Sequence, residues 1–175
     1  VHNGAHMTLI SDYLAERERI AADGWYEGAE VELSRLLSRA IATLAGDVPK
    51  GMAVVATGGF GRSVMAVHSD VDLLFLFDKR VPPEAENLIR EMIYPLWDIG
   101  MDVGYATRSL KECLSLAAKD LNVLTPILDG RFICGMSMLF SELMTQLREK
   151  VIRKHSGRIL EELMAYTHGR HAHYG

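Results

Sequence analysis

The chain has 175 residues, of which 49% are hydrophobic and 24% charged, a composition typical of a soluble globular domain rather than of a disordered or fibrous protein. Its 19 basic and 23 acidic side chains give a net charge of −4, so the whole-chain charge offers no reason to bind nucleic acid. No apolar run approaches the ~20 residues of a membrane helix, and two cysteines provide no disulfide framework. We therefore expect a cytoplasmic protein with no membrane or nucleic-acid partner.

The N-terminal part of the chain predicts two helices after a short foreign segment. Residues 1–7 lack periodicity, and the Gly-Ala-His-Met stretch within them resembles a cloning remnant, so we expect a tag remnant or disorder there. Helical spacing runs from about Thr8 to Ala22. A second apolar stripe ends at Gly46, so residues 8–46 are predicted to form N-terminal helices.

The hydrophobic period then changes. Apolar runs at Met52–Ala56 and Val71–Phe77 are too short for typical helices and predict buried strands. Met101–Thr107 predicts a third strand, and a helix ending near Trp97 precedes it. Residues 47–130 are therefore expected to form the core of the domain around a small sheet.

The rest of the chain predicts helices. An apolar stripe from Leu110 to Leu128 is expected to bend near Asp120, and Ser137 is suited to cap a following helix. Residues 131–175 are predicted to be a C-terminal helical segment. The predicted fold class is α+β (α/β-like), a small mixed sheet flanked by N- and C-terminal helices.

Two aspartates open the second predicted strand. Asp70 and Asp72 are separated by one residue, so on a strand their carboxylates project from the same face, roughly 6.5 Å apart. Neighbouring like charges repel and are costly to desolvate, so the pair is not expected to serve stability. Mg²⁺ prefers carboxylate oxygens together with substrate phosphates, and two ions can clamp a phosphoryl transfer. The pair predicts a magnesium site, with a solvated strand start as the alternative.

A glycine pair ends the first predicted strand. Gly58 and Gly59 allow a tight turn in which backbone N–H groups approach a phosphate without an intervening Cβ. A short helix starting near Phe60 would direct its positive dipole to the same place. Arg62 is a candidate phosphate ligand or a surface charge, and Ser69 a candidate phosphate contact or a turn hydroxyl.

Two common glycine-rich nucleotide motifs do not fit this turn. A dinucleotide fingerprint needs a third glycine where Val64 stands, and a P-loop needs a Gly-Lys-Ser/Thr ending that the sequence lacks. Neither motif accounts for the Asp-x-Asp, which begins eleven residues beyond Gly59. A Gly-Gly turn followed by Asp-x-Asp on the next strand fits metal-dependent nucleotidyl transfer better.

The glycine pair, the short helix and Asp70-Val71-Asp72 resemble the signature of the polymerase-β-like nucleotidyltransferase superfamily. The longer stretches Gly-Gly-Phe-Gly-Arg and His-Ser-Asp-Val-Asp-Leu-Leu resemble the N-terminal catalytic domain of the bacterial PII uridylyltransferase/uridylyl-removing enzymes. The similarity covers the chain from about the second helix to the C-terminus. It includes residues 58–62, 68–74, 96–104, 108–113, 120–121 and 170–175.

The resemblance implies a nucleotidyltransferase fold in residues 47–130 and transfer of UMP from UTP to a tyrosine of the PII signalling protein, in nitrogen regulation. It implies two Mg²⁺ ions, with Asp70 and Asp72 as catalytic metal ligands and Gly58 and Gly59 as phosphate-loop residues. The superfamily also uses a carboxylate on a neighbouring strand, for which Asp102 is the best candidate. That residue would hold one metal ion and accept the proton of the attacking hydroxyl.

Other functions fit the same residues. An adenylyltransferase or another nucleotidyltransferase would keep the fold and change the nucleotide or the acceptor, and a regulatory domain would bind the nucleotide without turning it over. The resembling family continues into HD-type hydrolase and ACT domains beyond its equivalent of residues 173–175. We therefore expect the chain to be the front end of a longer enzyme.

Five further residues are left outside the predicted site. The C-terminal histidines are interpreted as a solvated helix end; they are His168, His171 and His173. Arg108 has the same strand parity as Asp102 and is a candidate nucleotide contact. Cys113 lies in an apolar helical stripe and is predicted to pack in the core.

Overall fold

The computed structural model describes the backbone of residues 3–174 and the side chains of residues 9–165. These residues contain four short strands: β1 (Met52–Thr57), β2 (Val71–Phe77), β3 (Val103–Ser109) and β4 (Arg131–Gly135). They form one sheet in the order β3-β2-β1-β4. β1 pairs antiparallel with β2 and β4, whereas β2 and β3 are parallel, so the sheet is mixed, as predicted.

Helices precede, interrupt and follow the sheet. They are α1 (Asn3–Asp23), α2 (Ala29–Ala45), α3 (Gly58–Gly61), α4 (Ala85–Asp98), α5 (Leu110–Ala117), α6 (Leu121–Leu128), α7 (Ser137–Gln146) and α8 (Arg153–Tyr174), with a π-helical segment, Leu147–Ile152, between the last two. This arrangement confirms the predicted α+β class. None of the helices in the described part of the chain combines the length and the apolar character needed to cross a membrane.

The sheet lies between two layers of helices. Every residue of β1 is buried, and β2 is buried at every position except Asp72. Val54 and Phe75 belong to a core with α1, α2 and α4, whereas Val55 and Leu74 belong to a core with α5, α6, α7 and the π-helical segment. A strand covered on both faces has a continuous apolar run, which explains why β1 and β2 are recognisable in the sequence.

β4 is a strand that the sequence analysis does not predict. It lies in residues 131–175, which are predicted to be helical, yet it pairs antiparallel with β1. A five-residue strand with an arginine and a glycine is too short to show a period of two, and its register shifts between Val54 and Val55. The sheet therefore extends beyond residue 130. The division of the chain into domains otherwise stays a prediction.

Several element boundaries differ from the expected ones. α1 begins at Asn3 rather than Thr8, and the origin of residues 1–7 stays a prediction. β3 begins after Asp102, because Met101 and Asp102 belong to the connection from α4. The expectation that Ser137 caps α7 is wrong, because Met136 occupies the N-cap position and no side chain makes a capping hydrogen bond.

The predicted bend near Asp120 separates α5 from α6. Asp120 Oδ1 accepts the Asn122 N–H at 2.8 Å and caps α6, so a new helix starts there instead of continuing α5. Cys113 of α5 is fully buried in the core that contains Val55 and Leu74, as predicted.

Ser109 caps α5 through reciprocal hydrogen bonds with Glu112. The Ser109 N–H donates to Glu112 Oε2 at 2.7 Å, and Ser109 Oγ accepts the Glu112 N–H at 3.3 Å. The backbone bond from Ser109, and then its hydroxyl bond, hold the pKa of Glu112 below its ordinary value of 4.5. The capping box fixes where β3 ends and α5 begins.

Replacement Ser109→Ala is expected to lower the free energy of unfolding by about 1 kcal/mol, because an N–H of the first turn loses its acceptor. The stabilisation from Glu112 is present above pH 4.5 and is lost as the pH falls through the lowered pKa, since the unfolded chain then binds the proton more readily. Urea unfolding of the wild type, Ser109→Ala and Glu112→Gln at pH 7 and pH 4 measures both effects. A Ser109→Ala protein as stable as the wild type would contradict this role.

Candidate active site

Asp72 lies between two glycines because of the register of β2 with its neighbours. β1 pairs Thr57 with Asp72, and β3 pairs Gly104 with Asp72. A Cβ on Gly58 would lie 3.1 Å from Asp72 Oδ2, and a Cβ on Gly104 would lie 3.0 Å from Asp72 Oδ1. The glycine turn and the Asp-x-Asp, which the sequence relates only by spacing, are therefore adjacent, and glycine leaves room for the carboxylate on both sides.

Asp70 and Asp102 occupy equivalent positions, each one residue before its strand. Val71 pairs with Val103, and the Val71 N–H donates to the Asp102 carbonyl at 2.9 Å. Side chains at paired positions of neighbouring strands project from the same face, so both aspartates face the same side as Asp72. All three side chains are exposed. The three predicted catalytic residues are thus brought to one corner of the sheet.

Partial burial and neighbouring like charges both act on the Asp72 carboxyl. Partial burial, and then the charges of Asp70 and Asp102, raise the pKa of the Asp72 carboxyl. None of the ion pairs among the described side chains includes any of the three aspartates. The described side chains therefore leave the negative charge of this corner without an ion-pair partner.

Hard carboxylate oxygens without a basic partner fit a divalent cation such as Mg²⁺. No group of three or more His, Cys, Asp or Glu side chains that could hold a metal ion is found among residues 9–165. The aspartates therefore form no closed protein cage, but Mg²⁺ is commonly held by one or two carboxylates together with substrate phosphates. Asp70 and Asp72 fit that open arrangement. The role of Asp102 as a further ligand stays a prediction.

The glycine turn forms a single helical turn, α3, directly after β1. It starts at Gly58 rather than near Phe60, and Gly58 has a φ of +57°, a conformation that side chains disfavour. The first N–H groups of such a turn have no acceptor within the helix. A Cβ on Gly61 would lie 2.3 Å from the Asp129 carbonyl, whereas one on Gly59 would meet nothing closer than the Val64 carbonyl at 3.5 Å. Gly61 is thus needed for packing, and Gly59 is not.

Arg131 supports this turn from the side of α2. Its guanidinium donates to the Phe60 carbonyl at 3.0 Å and to the hydroxyls of Ser34 and Ser38, and it lies over the Phe60 ring at 5.2 Å. Burial lowers the pKa of Arg131. This residue could not be identified from the sequence, because its only signal is one arginine at the start of a short apolar segment.

Arg62 and Ser69, the other two predicted nucleotide-binding residues, make contacts within the protein. Arg62 is ion-paired with Asp129. Ser69 Oγ accepts the Ala66 N–H at 2.8 Å and closes a turn before β2. Both contacts match the alternative interpretation of these residues, and their role in nucleotide binding stays a prediction. The side chains of His168, His171 and His173 lie outside the described residues.

A cleft of about 370 Å³ leads from Asp72 along β3 towards α6. Gly104, Ala106 and Arg108 alternate along β3 on the face that carries Asp72, so the floor of the cleft is nearly free of side chains until Arg108. Arg108 therefore shares a face with the aspartates, as its strand parity predicts. The α6 side of the cleft is formed by Asn122, Val123, Pro126 and Ile127.

Asn122 is a cleft residue that no sequence motif indicated. It follows the capping residue of α6, and its amide can donate and accept hydrogen bonds. Pro126 lacks the N–H that an α-helix would direct at the Asn122 carbonyl four residues earlier. Pro126 was the available sequence signal for Asn122. The sequence could not relate Asn122 to the cleft, because α6 reaches β3 only in the tertiary fold.

Comparison with known proteins finds no protein-family model that matches the chain. Among solved structures, a chain from a toxin–antitoxin complex with AMP-PNP is 13% identical over 73% of this chain and 98% of its own length, with a TM-score of 0.44. A chain from the tri-AMPylated Shewanella oneidensis HEPN toxin in complex with MNT antitoxin is 14% identical over 75% and 98%, with a TM-score of 0.41. These similarities are too low to assign the chain to a family.

Replacement Asp72→Asn is expected to raise the free energy of unfolding at pH 7 in the absence of divalent cations, by less than about 1 kcal/mol, because the site is open to solvent. A carboxyl whose folded pKa is raised destabilises the fold once it ionises. The gain should therefore shrink as the pH falls through that raised pKa and vanish below its ordinary value of 3.8. Urea unfolding with EDTA at pH 7 and pH 4 measures it. A less stable Asp72→Asn protein at pH 7 would contradict the repulsion.

Proposed function

We propose that this chain is a Mg²⁺-dependent nucleotidyltransferase domain of the cytoplasm that transfers UMP from UTP to a tyrosine of the PII signalling protein, in bacterial nitrogen regulation. The observation that carries the proposal is the convergence of Asp70, Asp72 and Asp102 beside the Gly58 turn, at the mouth of a cleft. The choice of UTP and PII is supported by the sequence resemblance.

In this proposal Asp70 and Asp72 hold Mg²⁺ together with the phosphates of the nucleotide. When bound there, Mg²⁺ supplies Lewis-acid stabilisation of negative charge on the α-phosphate and on the departing pyrophosphate. The aspartates need no movement of the backbone to present both carboxylates, because the strand pairing already directs them to one face. The raised pKa of Asp72 reflects first its partial burial and then the same concentration of charge.

The other residues position the substrate. The N–H groups at the start of α3 approach the phosphates, and Arg131 holds this turn through the Phe60 carbonyl. A carboxylate oxygen of Asp102 accepts the proton of the tyrosine hydroxyl as the oxygen attacks the α-phosphate. The nucleoside lies along the floor of Gly104 and Ala106, where Asn122 can hydrogen-bond to the base.

Replacement Asp70→Asn is expected to reduce Mg²⁺-dependent transfer by about 100-fold or more, because several kcal/mol of charge stabilisation is lost. Asp47→Asn, at an exposed carboxylate outside the site, is the matched control and should keep full activity. Pyrophosphate release with PII, UTP and Mg²⁺ is the measurement, and circular dichroism checks the fold. Full activity in Asp70→Asn would overturn the proposed site.

The same assay separates the alternative functions. Release of pyrophosphate from ATP rather than UTP would indicate an adenylyltransferase, and calorimetric binding of UTP without release would indicate a regulatory nucleotide-binding domain. Both outcomes would keep the site. The first would change the nucleotide that is transferred, and the second would replace transfer with binding alone.

A pair of glycine variants tests the phosphate contact. Gly59→Ala should unfold within about 0.5 kcal/mol of the wild type, because its Cβ makes only an ordinary contact at 3.5 Å, yet it should weaken UTP binding at least about tenfold by obstructing the phosphate. Gly61→Ala should instead lose about 1–3 kcal/mol of stability, since its Cβ meets the Asp129 backbone. Unfolding and UTP titration of both proteins measure this. Unchanged UTP affinity in Gly59→Ala would contradict a phosphate role for the turn.

A further inference from the structure

β3 is the outermost strand on one side of the sheet, so one row of its backbone groups faces away from the other strands. The Val71 N–H donates to the Asp102 carbonyl, and residues that bond to the neighbouring strand alternate in a parallel pair. The backbone groups of Val103, Tyr105 and Thr107 therefore point outward. The Trp97 indole N–H occupies the first of them, donating to the Val103 carbonyl at 3.2 Å.

Tyr105 and Thr107 provide the rest of the open edge. Outside the pairing of β3 with β2, no backbone-to-backbone hydrogen bond of these two residues occurs in the described part of the chain. Their outward N–H and carbonyl groups have the spacing that an extended peptide requires. The edge is thus short, and it has both the donors and the acceptors that an added strand needs.

Three partly exposed aromatic side chains stand beside this edge, and we call them the aromatic edge: Tyr94, Trp97 and Tyr105. They are 47%, 44% and 45% exposed. The Trp97 ring centroid lies 5.6 Å from that of Tyr94 and 6.4 Å from that of Tyr105, and Tyr105 packs edge-on against the buried Phe75. Contiguous exposed aromatic surface is typical of interaction sites.

We propose that the β3 edge is the docking site for an extended segment of the acceptor protein, which adds to the sheet beside β3 and lies against the aromatic edge. The reaction that follows docking rests on the proposed function. The docking surface itself consists of the open backbone groups and the aromatic edge, which are continuous with the cleft.

The alternation of side chains along a strand links docking to the site. Tyr105 pairs with Leu73, so it lies on the opposite face from Asp72, and acceptor side chains level with Tyr105 contact the aromatic edge. Acceptor side chains level with Gly104 or Ala106 point to the face that carries Asp72. The added strand lies two strand spacings, about 10 Å, from β2. A tyrosine can extend over the bare backbone of Gly104 towards Asp72, whereas a serine or threonine is too short.

Charge specifies the acceptor segment further. The exposed Asp70 and Asp102 lie at the start of the edge, and Arg108 lies near its other end. A segment with a basic residue at the first end and an acidic residue at the second complements this distribution. The occupant is therefore an extended, tyrosine-containing segment with an apolar or aromatic residue next to the tyrosine.

An array of tyrosine-containing decapeptides, probed with the whole chain, tests the docking site. Thr107→Pro removes one outward N–H and leaves the bonds to β2 in place, because proline is tolerated where an edge N–H faces solvent. Thr107→Val keeps that N–H and is the matched control. Tyr94→Ala removes part of the aromatic edge without touching the strand. Unfolding and Mg²⁺·UTP titration show whether each variant keeps its fold and its cleft.

The wild type and Thr107→Val are expected to bind peptides of the stated pattern, and Thr107→Pro and Tyr94→Ala to bind them at least about tenfold more weakly, with UTP affinity unchanged. Failure of the wild type to bind any peptide, or full binding by both Thr107→Pro and Tyr94→Ala, would overturn the proposal. Sedimentation that shows dimers of the wild type and monomers of Thr107→Pro would also overturn the proposal, because the β3 edge would then bind a second copy of the chain.

The docking site and the proposed function fail in different ways. Asp70→Asn should bind the peptides no more than about threefold more weakly than the wild type, because it removes one exposed charge and none of the edge hydrogen bonds. Peptide binding without Mg²⁺·UTP binding in the wild type would leave the docking site in place and refute the proposed uridylyltransferase. UTP turnover without peptide binding would support the proposed function and refute the docking site.

Discussion

The register of β2 with its two neighbours is the constraint on which the rest of this structure depends. It places the single exposed residue of β2, Asp72, between Gly58 and Gly104, and it sets Asp70 beside Asp102. A shift of one residue would turn Asp72 into the core and an apolar neighbour into solvent. The buried positions of β2 therefore fix the orientation of the carboxylates, and stability and chemistry are tied to the same hydrogen-bond ladder.

The two helical layers have different relations to this corner. α1, α2 and α4 close the face opposite the aspartates, and α2 supports the glycine turn through Ser34 and Ser38, which accept hydrogen bonds from Arg131. The later helices cover the other face, where α6 and β3 leave the cleft open. The charged corner thus sits at the boundary of a closed core, which keeps the carboxylates rigidly placed without burying them.

Sequence patterns located the buried strands and the acidic corner because those signals are local. β1 and β2 are continuous apolar runs, and two aspartates one residue apart need only a strand to share a face. Residues whose contacts depend on distant parts of the chain could not be identified in the same way. Arg131 contacts Phe60 and two serines of α2, and Asn122 reaches β3 only when α6 packs on the sheet. Neither contact is encoded in spacing along the chain.

The sequence by itself determined the fold class, the order of the principal elements and Asp70 and Asp72 as candidate ligands, because each follows from a short-range hydrophobic period or from residue type. Asp102 was a candidate only through the family resemblance. The tertiary structure alone decided that β4 completes the sheet, that Ser69 closes a turn and Arg62 pairs with Asp129, and that β3 lies at an open edge. These features depend on which elements pack together, and pairing between distant segments leaves no periodic trace in either segment.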